Sequence, residues 1–246
     1  MFFYENENRK EPERSEFWDV SEVDISKIDT SRKLISFTFD DAPSGYLENI
    51  AAIFAGYNEE NPDCPASATV FFNGYRLQEY SPTLIDLAST AGFELGNHTH
   101  GHLDLTTLTE EELKREIDEV DKALKKHDGK ERHLLRAPYG EINETVKKIS
   151  YTPIIDWTID TLDWTGVSAD EIYDTVFTQK FSGAIVLMHD GPQNTLKALK
   201  RLLPDLKEAG YQVVSVSQLS KANDCPLKTG SVYIRARKKE ERTGQG

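Results

Sequence analysis

The chain has 246 residues, 38% of them apolar and 29% charged, which suits one large globular domain and excludes a disordered or fibrous chain. Acidic residues outnumber basic ones by 42 to 29, a formal charge of −13, so no basic surface large enough to neutralise nucleic-acid phosphates is available. No stretch approaches the ~20 consecutive apolar residues of a membrane span, and Met1–Lys10 lacks the apolar centre of a signal peptide.

A charged leader fills residues 1–32. Strands and helices then alternate through 33–222. Leu34 to Phe39 is rich in β-formers and stops at Asp40-Asp41. Ala68 to Phe72 is a second apolar run, and shorter ones follow at Phe93–Leu95, Leu134–Leu135, Ile154–Trp157, Ala184–Met188 and Gln212–Val216. Short, nearly continuous apolar strands belong to a sheet buried on both faces.

Helical patterns separate these runs. Thr109 with Glu112 forms a capping box before Leu113, Ile117, Val120 and Leu124, and Gly129 supplies the C-cap. Ser168 with Glu171 repeats the device before Ile172 and Val176, and Leu196, Leu199, Leu202 and Leu203 mark a third helix. The alternation predicts an α/β fold, a parallel (β/α) barrel of about seven strands rather than an open sheet. Residues 223–246 are expected to form a C-terminal tail, with the basic run from Arg235 to Arg242 solvated. Cys64 and Cys225 either pair across the fold or remain buried thiols.

Polar clusters follow five of these runs closely: Asp40-Asp41, His98–His102, Arg136–Gly140, Asp160–Trp164 and His189. Active sites of parallel barrels collect at the C-terminal ends of the strands, so the clusters can converge on one pocket. Three of the six histidines lie in Gly96-Asn97-His98-Thr99-His100-Gly101-His102. Asp41, His98 and His102 offer the donors of a zinc-like site with open positions, and a surface histidine cluster is the alternative. No His-Glu-x-x-His occurs, so a zinc protease lacks its general base.

Asp40 could face water beside such a metal, or the acidic pair could merely cap the next helix. Arg136 could orient a catalytic carboxylate through a bidentate pair, and the Tyr139 amide could meet an oxyanion. His189 could donate a proton with Asp163 as its partner, or sit buried against the backbone.

The five clusters in this order resemble the polysaccharide deacetylases of carbohydrate esterase family four, the NodB-like domain. The resemblance is carried by Thr38-Phe39-Asp40-Asp41, His98-Thr99-x-x-His102, Arg136-x-Pro138-Tyr139-Gly140, Asp160-x-x-Asp163-Trp164 and Leu187-x-His189. It implies a distorted (β/α) barrel with fewer than eight repeats. It also implies Asp40 as general base and Asp41, His98 and His102 as ligands of a divalent metal, zinc in most members and cobalt as a substitute. Arg136 would orient the base, and the Tyr139 amide would help hold the oxyanion. His189 would be the general acid tuned by Asp163, with Trp164 and Leu187 lining the pocket for the acetyl methyl.

Ala42 departs from the glycine that often follows the acidic pair, which implies a slightly different turn. The implied partner is an acetylated polysaccharide or oligosaccharide, O-acetylated as in xylan or N-acetylated as in chitin and peptidoglycan. The acidic balance leans toward a neutral, diffusible glycan and leaves peptidoglycan open. An extracellular or cell-surface protein, one module of a larger enzyme, is the expected setting. The competing classes are a non-catalytic glycan-binding domain on the same barrel and an amidase acting on a small cyclic amide.

Overall fold

Ten residues from Lys33 to Ala42 form β1, the axis of the fold. Phe37, Phe39, Ile35 and Leu34 on it have no exposed surface, and neither do Ser36 and Thr38 between them, so both faces are covered. A computed structural model describes residues 15–238. The opening of the leader (1–14) and the end of the tail (239–246), including part of the basic run, lie outside the described residues.

The remaining elements follow in chain order. They are α1 (Leu47–Glu60), β2 (Thr69–Phe72), α2 (Gly74–Glu79), α3 (Thr83–Thr90), β3 (Glu94–Asn97), α4 (Glu110–Asp128), β4 (Leu134–Leu135), α5 (Glu144–Ile149) and β5 (Ile154–Ile155). They continue with β6 (Ile159–Asp160), α6 (Ala169–Gln179), β7 (Ile185–His189), α7 (Gln193–Glu208), β8 (Tyr211–Val214), α8 (Val216–Ala222) and β9 (Val232–Tyr233).

The strands are parallel and run in the order β6-β7-β1-β2-β3-β4-β5-β9, with β8 paired to the first half of β1. Only residues 156–158 join β5, near one end of this path, to β6 at the other. So short a link curls the sheet round on itself. The curl is a distorted barrel whose seam, between β6 and β9, has no continuous ladder. The two strands beyond the expected seven are β6 and β9, of two residues each.

Alternation along β1 divides the core. Ile35, Phe37 and Phe39 face outward onto α1, α6 and α7, in the large cluster with Phe54, Val176 and Leu199. Leu34 faces inward, with Phe71, Leu134, Ile155 and Ile185. Asp40 falls on the same inward parity as Leu34, at the C-terminal mouth. The caps at Thr109, Ser168 and Gly129 form as expected. Val216 is helical rather than part of the last strand, because Ser215 and Gln218 make a further capping box before α8.

The described parts of the leader and tail pack on the barrel instead of hanging from it. The Trp18 indole donates to Ser217 Oγ at 2.8 Å, Phe17 bridges Lys228, and β9 extends the sheet from β5. Ala236 in the basic run is fully buried, bonded through its N–H to the Gly183 carbonyl at 2.9 Å. Cys64 and Cys225 are buried thiols that do not pair with each other in a disulfide.

Candidate active site

Strand register decides which polar groups meet. Asp40 on β1 is opposite His189 on β7, so the two strand ends deliver an acid and an imidazole side by side. Asn97 on β3 is opposite Leu135 on β4, which puts His98 next to Arg136, and the Arg136 N–H donates to the Asn97 carbonyl at 2.9 Å.

Asp40 is 3% exposed, and its Oδ1 accepts from Arg136 Nη1 at 2.7 Å. Burial works to raise its pKa, but Arg136, His98 and His189 outweigh burial and hold the carboxyl below the ordinary range. The expected bidentate fork does not form. Arg136 gives Nε to the Ile155 carbonyl at 2.9 Å and Nη2 to the Asp156 carbonyl at 3.3 Å, while Nη1 also donates to Thr38 Oγ1 at 2.6 Å. A guanidinium so committed has one nitrogen left for Asp40. Its face covers the Phe71 ring at 4.3 Å from the centroid.

Asp41 reaches the mouth because the β1–β2 register shifts between Phe39 and Ala42 and because its own φ is +62°. A bulge turns two successive side chains toward the same end, where a regular strand would separate them. The left-handed residue is therefore Asp41, while Ala42 closes β1 opposite Phe72 with its methyl packed in the outer core. The alanine in place of glycine costs nothing there.

His98 and His102 come from the loop after β3, not from a helix. His98 Nδ1 donates to the Arg136 carbonyl at 2.9 Å, which leaves the lone pair on Nε2. That nitrogen lies 3.8 Å from Asp41 Oδ1, and His102 Nε2 lies 3.4 Å from the same oxygen. Donor atoms of the three residues fall within 4.8 Å of one another. Burial and neighbouring His98 lower the His102 pKa, favouring the neutral, lone-pair form. Two imidazole nitrogens and one carboxylate fit a borderline divalent ion with positions left over.

His189 Nδ1 is 2.7 Å from Asp163 Oδ1. Asp163 Oδ2 accepts from the His189 N–H at 2.9 Å and from Thr195 Oγ1 at 2.6 Å. Burial pulls the His189 pKa down, yet the bond to Asp163 and the field of Asp40 prevail and raise it. The imidazolium is thus favoured, with Nε2 free of that bond.

Tyr139 stands at the rim with φ +62°, its ring edge-on to His102 and its hydroxyl 3.2 Å from His102 Nδ1. Trp164 is 63% exposed on the rim, whereas Leu187 is buried in β7 at 3%. His100 turns away from the other two histidines and pairs with Glu119 on α4 at 3.0 Å.

Several residues that sequence reasoning passed over complete the site. Thr38 and Thr195 position Arg136 and Asp163 respectively. Asn97 accepts from the Thr99 N–H at 2.9 Å and donates to Asp121 at 3.0 Å, shaping the histidine loop. Asp190 accepts from the Ser44 N–H and hydroxyl, and burial pushes its pKa up to about 6. Thr38 and Asn97 lie inside the motif stretches, whereas Thr195 and Asp190 carry no sequence signal because their partners Asp163 and Ser44 are distant along the chain.

The sequence model of the polysaccharide deacetylase family matches residues 27–152. A peptidoglycan-N-acetylglucosamine deacetylase of Bacillus cereus is 34% identical over 202 residues, 78% of this chain and 91% of the relative. The peptidoglycan-N-acetylmuramic acid deacetylase PdaC of Bacillus subtilis is 31% identical over 87% of this chain, which spans 44% of PdaC. Among solved structures, T48 deacetylase with substrate superposes with a TM-score of 0.76 at 29% identity, covering 84% of this chain and 99% of that one.

Proposed function

The chain belongs to the polysaccharide deacetylase family, and on that premise we propose a metal-dependent hydrolase that releases acetate from an acetylated glycan. The observation that carries this reading is the convergence of three groups at one mouth: Asp40 with Arg136, Asp41 with His98 and His102, and His189 with Asp163.

In this reading Asp41, His98 and His102 hold a divalent ion, zinc by the softness of the donors, with cobalt able to replace it. Such an ion supplies a Lewis acid that polarises the acetyl carbonyl and makes a water easier to deprotonate. Asp40, kept ionised by Arg136, takes a proton from the attacking water. The Tyr139 amide, on its left-handed turn, donates to the oxygen that gains charge. His189, kept protonated by Asp163, hands its proton to the departing sugar nitrogen or oxygen, and acetate leaves. Trp164 and Leu187 enclose the acetyl methyl. An acetylated polysaccharide is met outside the cell or at its surface, and we assign the enzyme to that setting.

A glycan-binding domain that had lost turnover would lack the base, the acid or a ligand, and all are present. A small cyclic amide would need no exposed aromatic at the rim such as Trp164. Acetate release from acetylxylan, chitin oligomers and peptidoglycan, measured side by side, is the direct test. At least one should be turned over, chelation should stop it, and added zinc or cobalt should restore it. No release from any glycan by the metal-loaded protein would overturn the reading.

A further inference from the structure

Arg136 directly follows β4, and Arg76 lies in the first turn of the short helix α2 that follows β2. Arg136 is buried and committed to Asp40 and backbone carbonyls. The basic run after β9 turns away, since Ala236 is bonded to Gly183 at the opposite end of β7 from His189. Arg76 is therefore a half-buried guanidinium at a mouth where, among the described residues, the strand ends and the segments after them also supply the acidic Asp41, Asp104, Glu141, Asp156 and Asp160.

Its place is well determined. Arg76 lies on α2, whose first residues are sewn to the histidine loop by Gly74 N–H to the Thr99 carbonyl at 3.1 Å and Tyr75 N–H to the His100 carbonyl at 3.0 Å. A Cβ at Gly74 would stand 2.2 Å from His100 Nδ1 and 2.9 Å from His100 Cα, so only glycine lets the two segments approach this closely. Arg76 Nε donates to the Tyr75 hydroxyl at 2.8 Å, and the guanidinium lies 5.5 Å from that ring's centroid. Among the described residues no carboxylate comes within ion-pair distance of it. The β2–β3 register, Phe72 opposite Asn97, brings α2 out of the sheet at the same end as His98, so Arg76 stands beside the loop that carries the histidine pair.

A guanidinium has five N–H donors, and this one spends a single donor on Tyr75. A carboxylate is its best complement, through charge-assisted and bidentate bonds. The formal charge of −13 does not oppose this at close range. Screening confines exposed charges to about 8 Å at physiological salt, so local sign governs the contact and net charge only the approach. We propose that Arg76 selects a substrate bearing a carboxylate on, or next to, the acetylated sugar. This rests on the deacetylase reading above. Two glycan sources bring that chemistry, the lactyl ether of muramic acid and a uronic-acid substituent.

The test uses matched substrates differing only in the carboxylate. One pair is an N-acetylmuramic acid oligomer and the same oligomer with the carboxyl reduced to the alcohol; the other is acetylated glucuronoxylan with its uronic acids intact or likewise reduced. For the wild-type protein, kcat/KM should favour the carboxylated member of at least one pair by about tenfold or more, chiefly through KM. The pair that splits names the source. Rising salt should shrink the ratio, R76Q should bring it toward one, and R76K should keep part of it. A wild-type ratio near one in both pairs overturns the proposal. So does an equal loss on both members in R76Q, which would reduce Arg76 to a counter-charge for the site carboxylates. Failure to release acetate from any member would instead remove the deacetylase reading on which the proposal stands.

Discussion

Arg136 meets Asp40 through a single guanidinium nitrogen, Nη1 to Oδ1 at 2.7 Å, with both residues almost wholly buried. That pairing keeps a buried carboxyl ionised against the pull of burial. In Arg136→Gln the acid limb of the kcat/KM profile should move upward, because burial of Asp40 then acts with less opposition. Stability should fall by about 3–5 kcal/mol, the cost of leaving one partner of a buried pair alone. Asp40→Asn should keep its metal and lose about 10²–10⁴ in kcat. An unchanged acid limb in the first variant, or normal acetate release in the second, would remove Asp40 from the role of base.

On the proposed mechanism the alkaline limb of the profile should report His189. Asp163 and Asp40 raise its pKa, so the protonated acid persists above the ordinary histidine value near 6.5 and activity falls only at higher pH. Asp163→Asn should shift that limb downward. Thr195→Val removes a 2.6 Å bond to Asp163 and should cost about 1.5–3 kcal/mol of transition-state stabilisation or stability. A pH–rate profile of each variant with a soluble substrate checks both.

Helix α4 holds the loop that carries His98 and His102. Glu116 accepts from the Gly101 N–H at 2.6 Å and gives its carbonyl to the His100 N–H at 2.9 Å, and Glu119 pairs with the His100 ring. Groups that orient metal ligands are typically worth 10–100-fold in affinity. Glu116→Gln should weaken zinc binding by about tenfold in a chelator competition while kcat at saturating zinc stays near the wild-type value. Unaltered zinc affinity would make the contact one of packing alone.

His133 is buried between Asp121, 2.9 Å from Nδ1, and Asp128, 3.2 Å from Nε2. Burial lowers its pKa, but the two carboxylates prevail and raise it. A raised folded-state pKa contributes stability that is present in full below the unfolded value near 6.5 and is lost as pH climbs through the folded one. Denaturant unfolding across that range should therefore show the wild-type protein losing stability with rising pH, and His133→Asn should have a flatter dependence.

The parts readable in sequence were those whose cause is local. Capping at Thr109 and Ser168, the C-cap at Gly129 and the buried strands around Phe37, Phe71 and Val186 depend on neighbours a few residues away. The two-residue strands β6 and β9 have no such pattern and exist only because partners already stand beside them. The same distinction separates Thr195 and Asp190 from the motif residues, since each acts on a group brought near by the fold.

The alternation of apolar strands and capped helices indicated a parallel barrel, and the chain order of Asp40-Asp41, His98, His102, Arg136, Asp163 and His189 indicated the deacetylase family and the chemistry on offer. Tertiary structure alone decided how those groups address one another. The bulge at Asp41 turns adjacent carboxylates to one mouth, the β1–β7 register sets Asp40 opposite His189, and backbone carbonyls claim all but one nitrogen of Arg136 that could reach its carboxylate. The physical reason is that residue type states what a side chain can do, while its direction and its pKa come from strand pairing, burial and partners far away along the chain.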